Sequence, residues 1–418
     1  MSTDDSAEWS DADESLLARL DYTYGSQEGG TEANETCSGR TEVNISADTT
    51  VTSDNDITHK SGQDSATHSD SDTCVASRQP PTTGVADKGE NPLTSGNFNP
   101  LTMFIKSQYF TVTDLTTQLW CEQHMLYALM GIEPQPPEPL EGEVQVPVPL
   151  KTADRPEVKA GKSVHLAREL EIHDFVKVKI SSKGEKWAVH ILNLLSAIQG
   201  FLSGISVVRE VPVFGDPFGT GDLFFGIIDE LRFDQETYSV QLSELKTRKS
   251  ERLPGKAQKK QHIFQVQVYK RLWDNLVRGE FSADHFLTKL SLTEEADQPL
   301  SDEIVQLMDA SAISAETLRQ LLTNVLSAAQ SLVCISSTII EYVQQDTGIS
   351  IGQTKVQDDE ERLLRAFHWC MEFWHGRREV QGVEIEEAWK CHSCEYASIC
   401  EWRQQKCEEY RLKNALQS

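Results

Sequence analysis

The stretch 224-FFGIIDELRF-233, with 240-VQLSELKTRKS-250 close behind it, decides how this chain is read. The first is an apolar strand that runs into a carboxylate at Asp229, and the short turn 234-DQET-237 separates it from the second. Successive side chains of a strand point to opposite faces, so Glu244 and Lys246, two residues apart, leave from the same one. An Asp on one strand beside a Glu-x-Lys on its neighbour gathers two carboxylates and an ammonium around one point. Paired carboxylates are the hard-oxygen ligands that Mg2+ takes. An ion held there lowers the pKa of bound water and neutralises charge on a phosphate under attack, and Lys246 is placed to orient the water or to meet the charge that develops.

Outward from this pair, segments around 206–214, 222–232 and 238–247 alternate as strands, with the turn 215-GDPFGTGD-222 between the first two. Upstream, 105-IKSQYFTVTDLTTQLWCEQHMLYALMG-131 reads as a helix capped by Thr113 or Asp114. Residues 132–150 are Pro-rich and must be extended or loop, and a second helix begins near Val158. Downstream, 256–279, 302–346 and 357–377 read as helices. Helix, three-stranded meander, helix and an appended helical region make a mixed α/β core.

More chemistry flanks the carboxylates. In 161-GKSVHLARELE-171, His165 offers an imidazole on a helix, with Glu169 one turn on. Gln265 and Tyr269 share a helix face at i, i+4. Between strand and helix lies 246-KTRKSERLPGKAQKKQ-261, in which Lys246, Arg248, Lys249, Arg252, Lys256, Lys259 and Lys260 stand against one acid, Glu251. In a chain of net charge -26 this local reversal is where a polyanion binds.

The acidity is concentrated at one end. Residues 1–100 hold 19 acids against 5 bases, which leaves 46 against 34 for the rest of the 418 residues. From Tyr24 to Phe98 there is no intervening aromatic residue, so that segment cannot bury enough apolar surface to offset its ordering entropy. We expect 1–95 to be a disordered acidic tail and 96–418 a folded domain. Within the tail, 8-EWSDADESLLARLDY-22 is either unstructured or a brief acidic helix that docks on a partner. The chain has no apolar run long enough for a membrane span and no basic, apolar leader at its start. The expectation is therefore a protein kept off membranes, in a reducing compartment, where cysteines are metal ligands or buried thiols before they are disulfides.

Three of those cysteines, in 390-KCHSCEYASICEWR-403, have C-x2-C-x5-C spacing. Four thiolates suit either a [4Fe–4S] cluster or Zn2+, and the knuckle of Cys391, Cys394 and Cys400 supplies three. Cys407 is near enough to complete a local set. Cys37 and Cys74 fall in the tail; Cys334 and Cys370 fall in helical patterns and read as buried thiols.

The order G-x-x-x-H, G-I-I-D, E-L-K, Q-x-x-x-Y resembles the RecB-type branch of the PD-(D/E)XK nucleases, in which the chain would be a restriction-endonuclease-like α/β core with appended helices. The resemblance implies that His165, Asp229 and Glu244 bind the divalent metal, that Asp229, Glu244 and Lys246 are catalytic, and that Gln265 and Tyr269 help to seat DNA. The basic stretch, through Arg248, Lys249, Lys256, Lys259 and Lys260, would add phosphate contacts. An AddB-like subset of these nucleases closes its core with an iron–sulfur cluster, one cysteine ahead of the core and three behind it in this spacing. That implies a C-terminal Fe–S staple of Cys121, Cys391, Cys394 and Cys400.

Across 100–405, the blocks LTTQLWCEQ, HLARELEIHDF, SELKTR, AQKKQ and GVEIEEAWKCHSCEYASICEWR resemble the eukaryotic exonuclease V family. This implies a Mg2+-dependent exonuclease, with Mn2+ able to substitute, that threads single-stranded DNA and releases short oligonucleotides. It also implies a monomer working in the nucleus in DNA repair, interstrand crosslinks included, with the single-strand binding protein RPA as partner. A non-cleaving scaffold of the same fold would have lost Asp229, Glu244 or Lys246, and all three are present. An RNA substrate would call for an aromatic-rich RNA-binding module, which the sequence lacks.

Overall fold

The computed structural model describes residues 42–48, 99–136, 148–171, 173–311 and 313–417. The expectations for 8–22 and for most of the acidic tail lie outside the described residues. Inside the expected tail, Glu42–Asp48 forms a strand, β1. After α1 (Pro100–Phe104) and the two-residue β2 (Phe110–Thr111) comes α2 (Val112–Trp120). Its N-cap is Thr111, not Thr113 or Asp114: the Thr111 hydroxyl accepts from the Asp114 amide and the Asp114 carboxylate accepts from the Thr111 amide, a reciprocal capping box. Asp114 is thus the third helical residue of that box. At Cys121 the backbone turns extended, which ends α2 and starts α3 (Glu122–Leu129).

Next come α4 (Pro156–Glu169) and β3 (His173–Lys179), the latter parallel to β1. α5 (Lys183–Leu202) is a helix the strand-centred reading passes over. Its signals were present: Ser182 and Glu185 form a second capping box, and the face from Trp187 to Phe201 is apolar at helical spacing. Trp187 meets Tyr109, Phe214, Phe225 and Phe286 edge to face, which seats α5 on the sheet. The expected meander is there as β4 (Val207–Gly215), β5 (Phe224–Asp234) and β6 (Ser239–Arg248). α6 (Lys256–Arg278) follows and stops at Gly279, whose φ of 68° is the left-handed conformation a helix C-cap needs.

The reading of 302–346 as helix fails in its second half. α7 (Ala283–Lys289), α8 (Asp302–Ala310) and α9 (Leu318–Ala329) are helices, but β7 (Ile335–Gln344) and β8 (Ser350–Val356) are strands. In 335-ISSTIIEYVQ-344 the buried residues Thr338, Ile340 and Tyr342 recur with period two, and β-branched side chains pack well on a pleated surface. Cys334 accordingly lies just before β7, half-buried, whereas Cys370 is buried in α10 (Glu360–Trp374) as expected. A 3-10 segment, Ile385–His392, and α11 (Glu401–Gln417) end the chain.

The result is a mixed α/β fold. Among the described residues its main sheet has six strands, in the order β2-β5-β6-β7-β8 with β4 also on β5. β4–β5, β5–β6 and β7–β8 are antiparallel; β2–β5 and β6–β7 are parallel. The parallel β6–β7 pair needs a long crossover, which α6 to α9 supply. No described helix is long and apolar enough to cross a membrane.

One feature of the sheet positions everything that follows. β5 pairs with β2 through Phe224 and Phe225, and with β6 only from Glu230 to Asp234. Asp229 stands in the gap between those two ladders.

Candidate active site and cysteine site

Where the β5–β6 ladder stops, a side chain takes over. The amide of Leu245 donates to Asp229 Oδ2 at 2.6 Å, so the carboxylate holds the two strands at the point where they diverge. Its other oxygen, Oδ1, faces His165 Nδ1 of α4 at 3.6 Å. Glu244 and Lys246 leave one face of β6 as their spacing requires, and Lys246 Nζ lies 3.2 Å from Glu244 Oε1 with both side chains only 2% exposed. A carboxyl and an amine so deeply buried are accommodated because each faces the other.

The structure adds a carboxylate that sequence reasoning missed. Ligand atoms of His165, Glu210 and Asp229 all lie within 4.8 Å of one another. Glu210 is in β4, and its φ of 49° is left-handed in the middle of a strand. The β4–β5 register runs Arg209↔Glu230, then Val211↔Ile228, so Glu210 opts out of the ladder beside Asp229. Glu244 falls outside this tight group, so the expected triad of His165, Asp229 and Glu244 does not close around one point. Asp229 is the member common to both sets.

On the far side of the groove, α6 presents Gln265 and Tyr269, both buried, with Gln265 Nε2 donating to the Tyr269 hydroxyl at 3.1 Å. Burial first, and then the nearby Glu244 carboxylate, hold the Tyr269 phenol well above its ordinary pKa, so it stays protonated. The ring lies over Gly226: a Cβ there would sit 2.4 Å from Tyr269 Cε1 and 3.0 Å from Val112 Cγ2. The glycine of G-I-I-D is needed for that close approach. His165, Glu210, Asp229, Glu244, Lys246 and Tyr269 all line one open groove of about 390 Å3.

The basic stretch divides. Arg248 is buried and its guanidinium donates to the Arg252 carbonyl at 2.7 Å and to Gln258 Oε1 at 3.3 Å, so it braces the loop rather than facing solvent. This corrects its expected role as a DNA contact. Lys249 lies 3.3 Å from Glu157 of α4. Lys256 and Lys260 are exposed and Lys259 half-buried on the opening turns of α6, a helix with no acid in its first turn and no side-chain cap. The positive dipole end of that helix and the lysines lie on the same opening turns, a combination that favours an anion.

α4, which carries His165, is held in an unusual manner. Val158 and Gly161 are its only residues described as buried. Polar ties do the rest. At its C-terminal end, Arg209 of β4 donates to the Arg168 carbonyl, and Arg168 pairs with Glu341 of β7 at 3.3 Å. Near its start, Gln345 donates to the Glu157 carbonyl at 2.7 Å.

The second site is at the chain's far end. Cys121, Cys391, Cys394 and Cys400 line one small cavity, walled by Trp120, Tyr127, Tyr396 and Trp402. Cys407 is exposed and is not among the lining residues. Burial pushes the Cys121 thiol up to about 12, with Cys400 and Cys391 adding to the push, and raises Cys394, Cys391 and Cys400 as well. Four thiols gathered in one cavity are a set that could hold a metal centre once deprotonated. Lys390 closes the join, its ammonium donating to the Trp120 carbonyl at 3.0 Å and lying 4.3 Å over the Trp120 ring.

Next to Cys394 sits a buried carboxylate, Glu395, which accepts from the Thr152 amide at 3.1 Å, from its hydroxyl at 2.8 Å and from Arg155 Nη2 at 3.0 Å. His124 Nε2 is 3.5 Å away. Although burial opposes its ionisation, hydrogen bonding and charge from His124, Thr152 and Arg155 prevail and lower its pKa to about 2.

Comparison with known proteins gives the family. Residues 99–241, 232–324 and 309–403 match the family described as "Exonuclease V - a 5' deoxyribonuclease". A Danio rerio protein named exonuclease V is 37% identical over 316 residues, covering 75% of this chain and 75% of that protein. Among solved structures, the crystal structure of SSO0001 aligns over 71% of this chain and 88% of that chain, at 13% identity and a TM-score of 0.28, a likeness too weak to bear on the fold.

Proposed function

The chain belongs to the exonuclease V family, and from that premise we propose that its groove hydrolyses phosphodiester bonds of single-stranded DNA entering from a free end. The observation that carries the proposal is Asp229: it stands at the fork of β5, β6 and β2, one oxygen fixed by the Leu245 amide, the other facing His165, beside the buried Glu244–Lys246 pair. In this reading the core is of the PD-(D/E)XK type. His165, Asp229 and, newly, Glu210 would hold Mg2+ or Mn2+, with the expected Glu244 beside them and paired to Lys246. When bound, that ion supplies a low-pKa water and charge neutralisation at the phosphate. The residues present suit such an ion, being oxygen-rich, grouped on one wall of the groove and partly enclosed. Lys246, pre-oriented by Glu244 in a dry pocket, meets charge that develops on the phosphate. Tyr269 and Gln265 form the opposite wall, and Lys256, Lys259 and Lys260 meet the strand's phosphates outside it.

The test is Asp229→Ala. Single-turnover cleavage should fall by on the order of 10^4, while circular dichroism and single-strand binding stay near wild type. Retention of more than a few per cent of the rate would move the metal site elsewhere.

We propose that the four lining cysteines hold a [4Fe–4S] cluster that staples α2–α3 to the C-terminus. One zinc ion at about 2.3 Å from each of four sulfurs would draw them within about 4 Å of one another. Among the described residues no three of these sulfurs fall within 4.8 Å of each other, which favours the wider cluster. Cys121→Ala should lose iron and its absorption near 400 nm as fully as Cys394→Ala, and Cys407→Ala should lose neither. A colourless Cys407→Ala beside a brown Cys121→Ala would reverse the assignment. We further propose that the activity serves nuclear DNA repair, interstrand crosslinks included, with the protein acting as a monomer alongside RPA.

A further inference from the structure

The two sites are joined through α4. We propose that Glu395, on the cysteine knuckle, is a positioning residue for His165: it holds the start of α4 so that the imidazole reaches the Asp229 side of the groove. This rests on the metal-site reading given above.

A helix is ordinarily located by its buried face, and α4 buries only Val158 and Gly161 among its described residues. Its position therefore depends on its polar ties. The tie with the most bonds is the Glu395 carboxylate, which accepts from Thr152 N, Thr152 Oγ1 and Arg155 Nη2 in the turn that opens α4. Arg155 also donates to the Ser393 carbonyl at 3.0 Å, so two consecutive segments of the knuckle grip the same turn. The contact is dry: Glu395 and Thr152 are each 3% exposed. A charge-assisted bond in such surroundings has no water to replace it when lost.

His165 lies ten residues beyond Arg155, about 15 Å along the helix axis at 1.5 Å per residue. The far end of α4 is tied separately, by Arg209 and Glu341, to β4 and β7. Releasing Glu395 leaves the start of α4 held by the Gln345 and Lys249 contacts to Glu157, and a start so loosened moves His165 against Asp229 without unfolding either site. The cysteine knuckle thus sets metal affinity in the groove through hydrogen bonds, with no ligand in common.

The experiment measures Mn2+ binding to the full-length, iron-loaded protein without DNA, by the electron paramagnetic resonance of free Mn2+, in four forms: wild type, Glu395→Gln, Thr152→Val/Arg155→Met, and His165→Ala. The double variant touches neither a cysteine nor a groove residue. Both clamp variants should keep wild-type iron content yet bind Mn2+ about tenfold more weakly, with cleavage recovering at saturating Mn2+, a shift in metal dependence that a general loss of fold would not produce. Wild-type Mn2+ affinity in the double variant overturns the inference, as does loss of iron in Glu395→Gln with a normal double variant, since Glu395 would then serve the cysteines alone. If His165→Ala also binds Mn2+ normally, the metal-site reading itself falls; weakened binding in His165→Ala with normal clamp variants removes only the clamp.

Discussion

α4 and α6 face each other across the groove, and they are held there by opposite means. α6 has thirteen buried residues, from Gln261 to Leu276, and runs through the core; its Gln265 and Tyr269 are placed by packing. α4 buries two and is placed by ion pairs and hydrogen bonds to β4, β7 and the knuckle. Packing is spread over many contacts and insensitive to salt, whereas polar ties hang on a few single side chains. The groove therefore has a rigid wall that carries the tyrosine and an adjustable wall that carries the histidine.

The contrast breaks most visibly in the core. Leu272→Ala, at a residue with no exposure in α6, should cost about 3 kcal/mol in urea unfolding; a loss under 1 kcal/mol would show that α6 is not the rigid partner. Gly226→Ala drives a methyl into the Tyr269 ring and Val112, and should cost about 1–3 kcal/mol. Its cleavage rate should drop as well, because the tyrosine has to move; an unchanged rate would separate the ring's position from catalysis. The smallest effect is expected on α4. Leu166, 49% exposed, should tolerate Ala within about 0.5 kcal/mol. A larger loss in thermal unfolding would reveal apolar anchoring of α4 and blur the distinction between the walls.

Much of the β6 strand and of the α6 wall was readable in the chain. Glu244 and Lys246 declare a common face by a spacing of two, Gln265 and Tyr269 by a spacing of four, and both periods survive folding. The adjustable wall was readable only in its histidine. Glu210 sits in 207-VVREVPVFG-215, where strand alternation treats it as any outward residue; a left-handed backbone at one position brings it to Asp229, and no periodicity carries that information. Nothing in the sequence sets Glu395 apart from its neighbours in the knuckle, since its partners lie 243 and 240 residues away. β7 was mistaken for helix because no Gly or Pro separates it from the helical pattern before it, and its true partner, β6, lies nearly a hundred residues back. Arg248 looked like one more cation in a basic run, and only its burial shows that it braces the loop.

The join between the chain's two ends also has a consequence in time. Glu122, at the start of α3, is 1% exposed and its carboxylate accepts two hydrogen bonds from Arg378, 256 residues downstream. Gln118 likewise bonds the Cys370 carbonyl and the Trp374 indole. A ribosome adding about 5–20 residues per second completes that interval in roughly 13–50 s. For that long the nascent chain carries a carboxylate and an amide destined for a dry interior with only each other as partners, so α2 and α3 are among the first described helices to be synthesised and among the last to be closed.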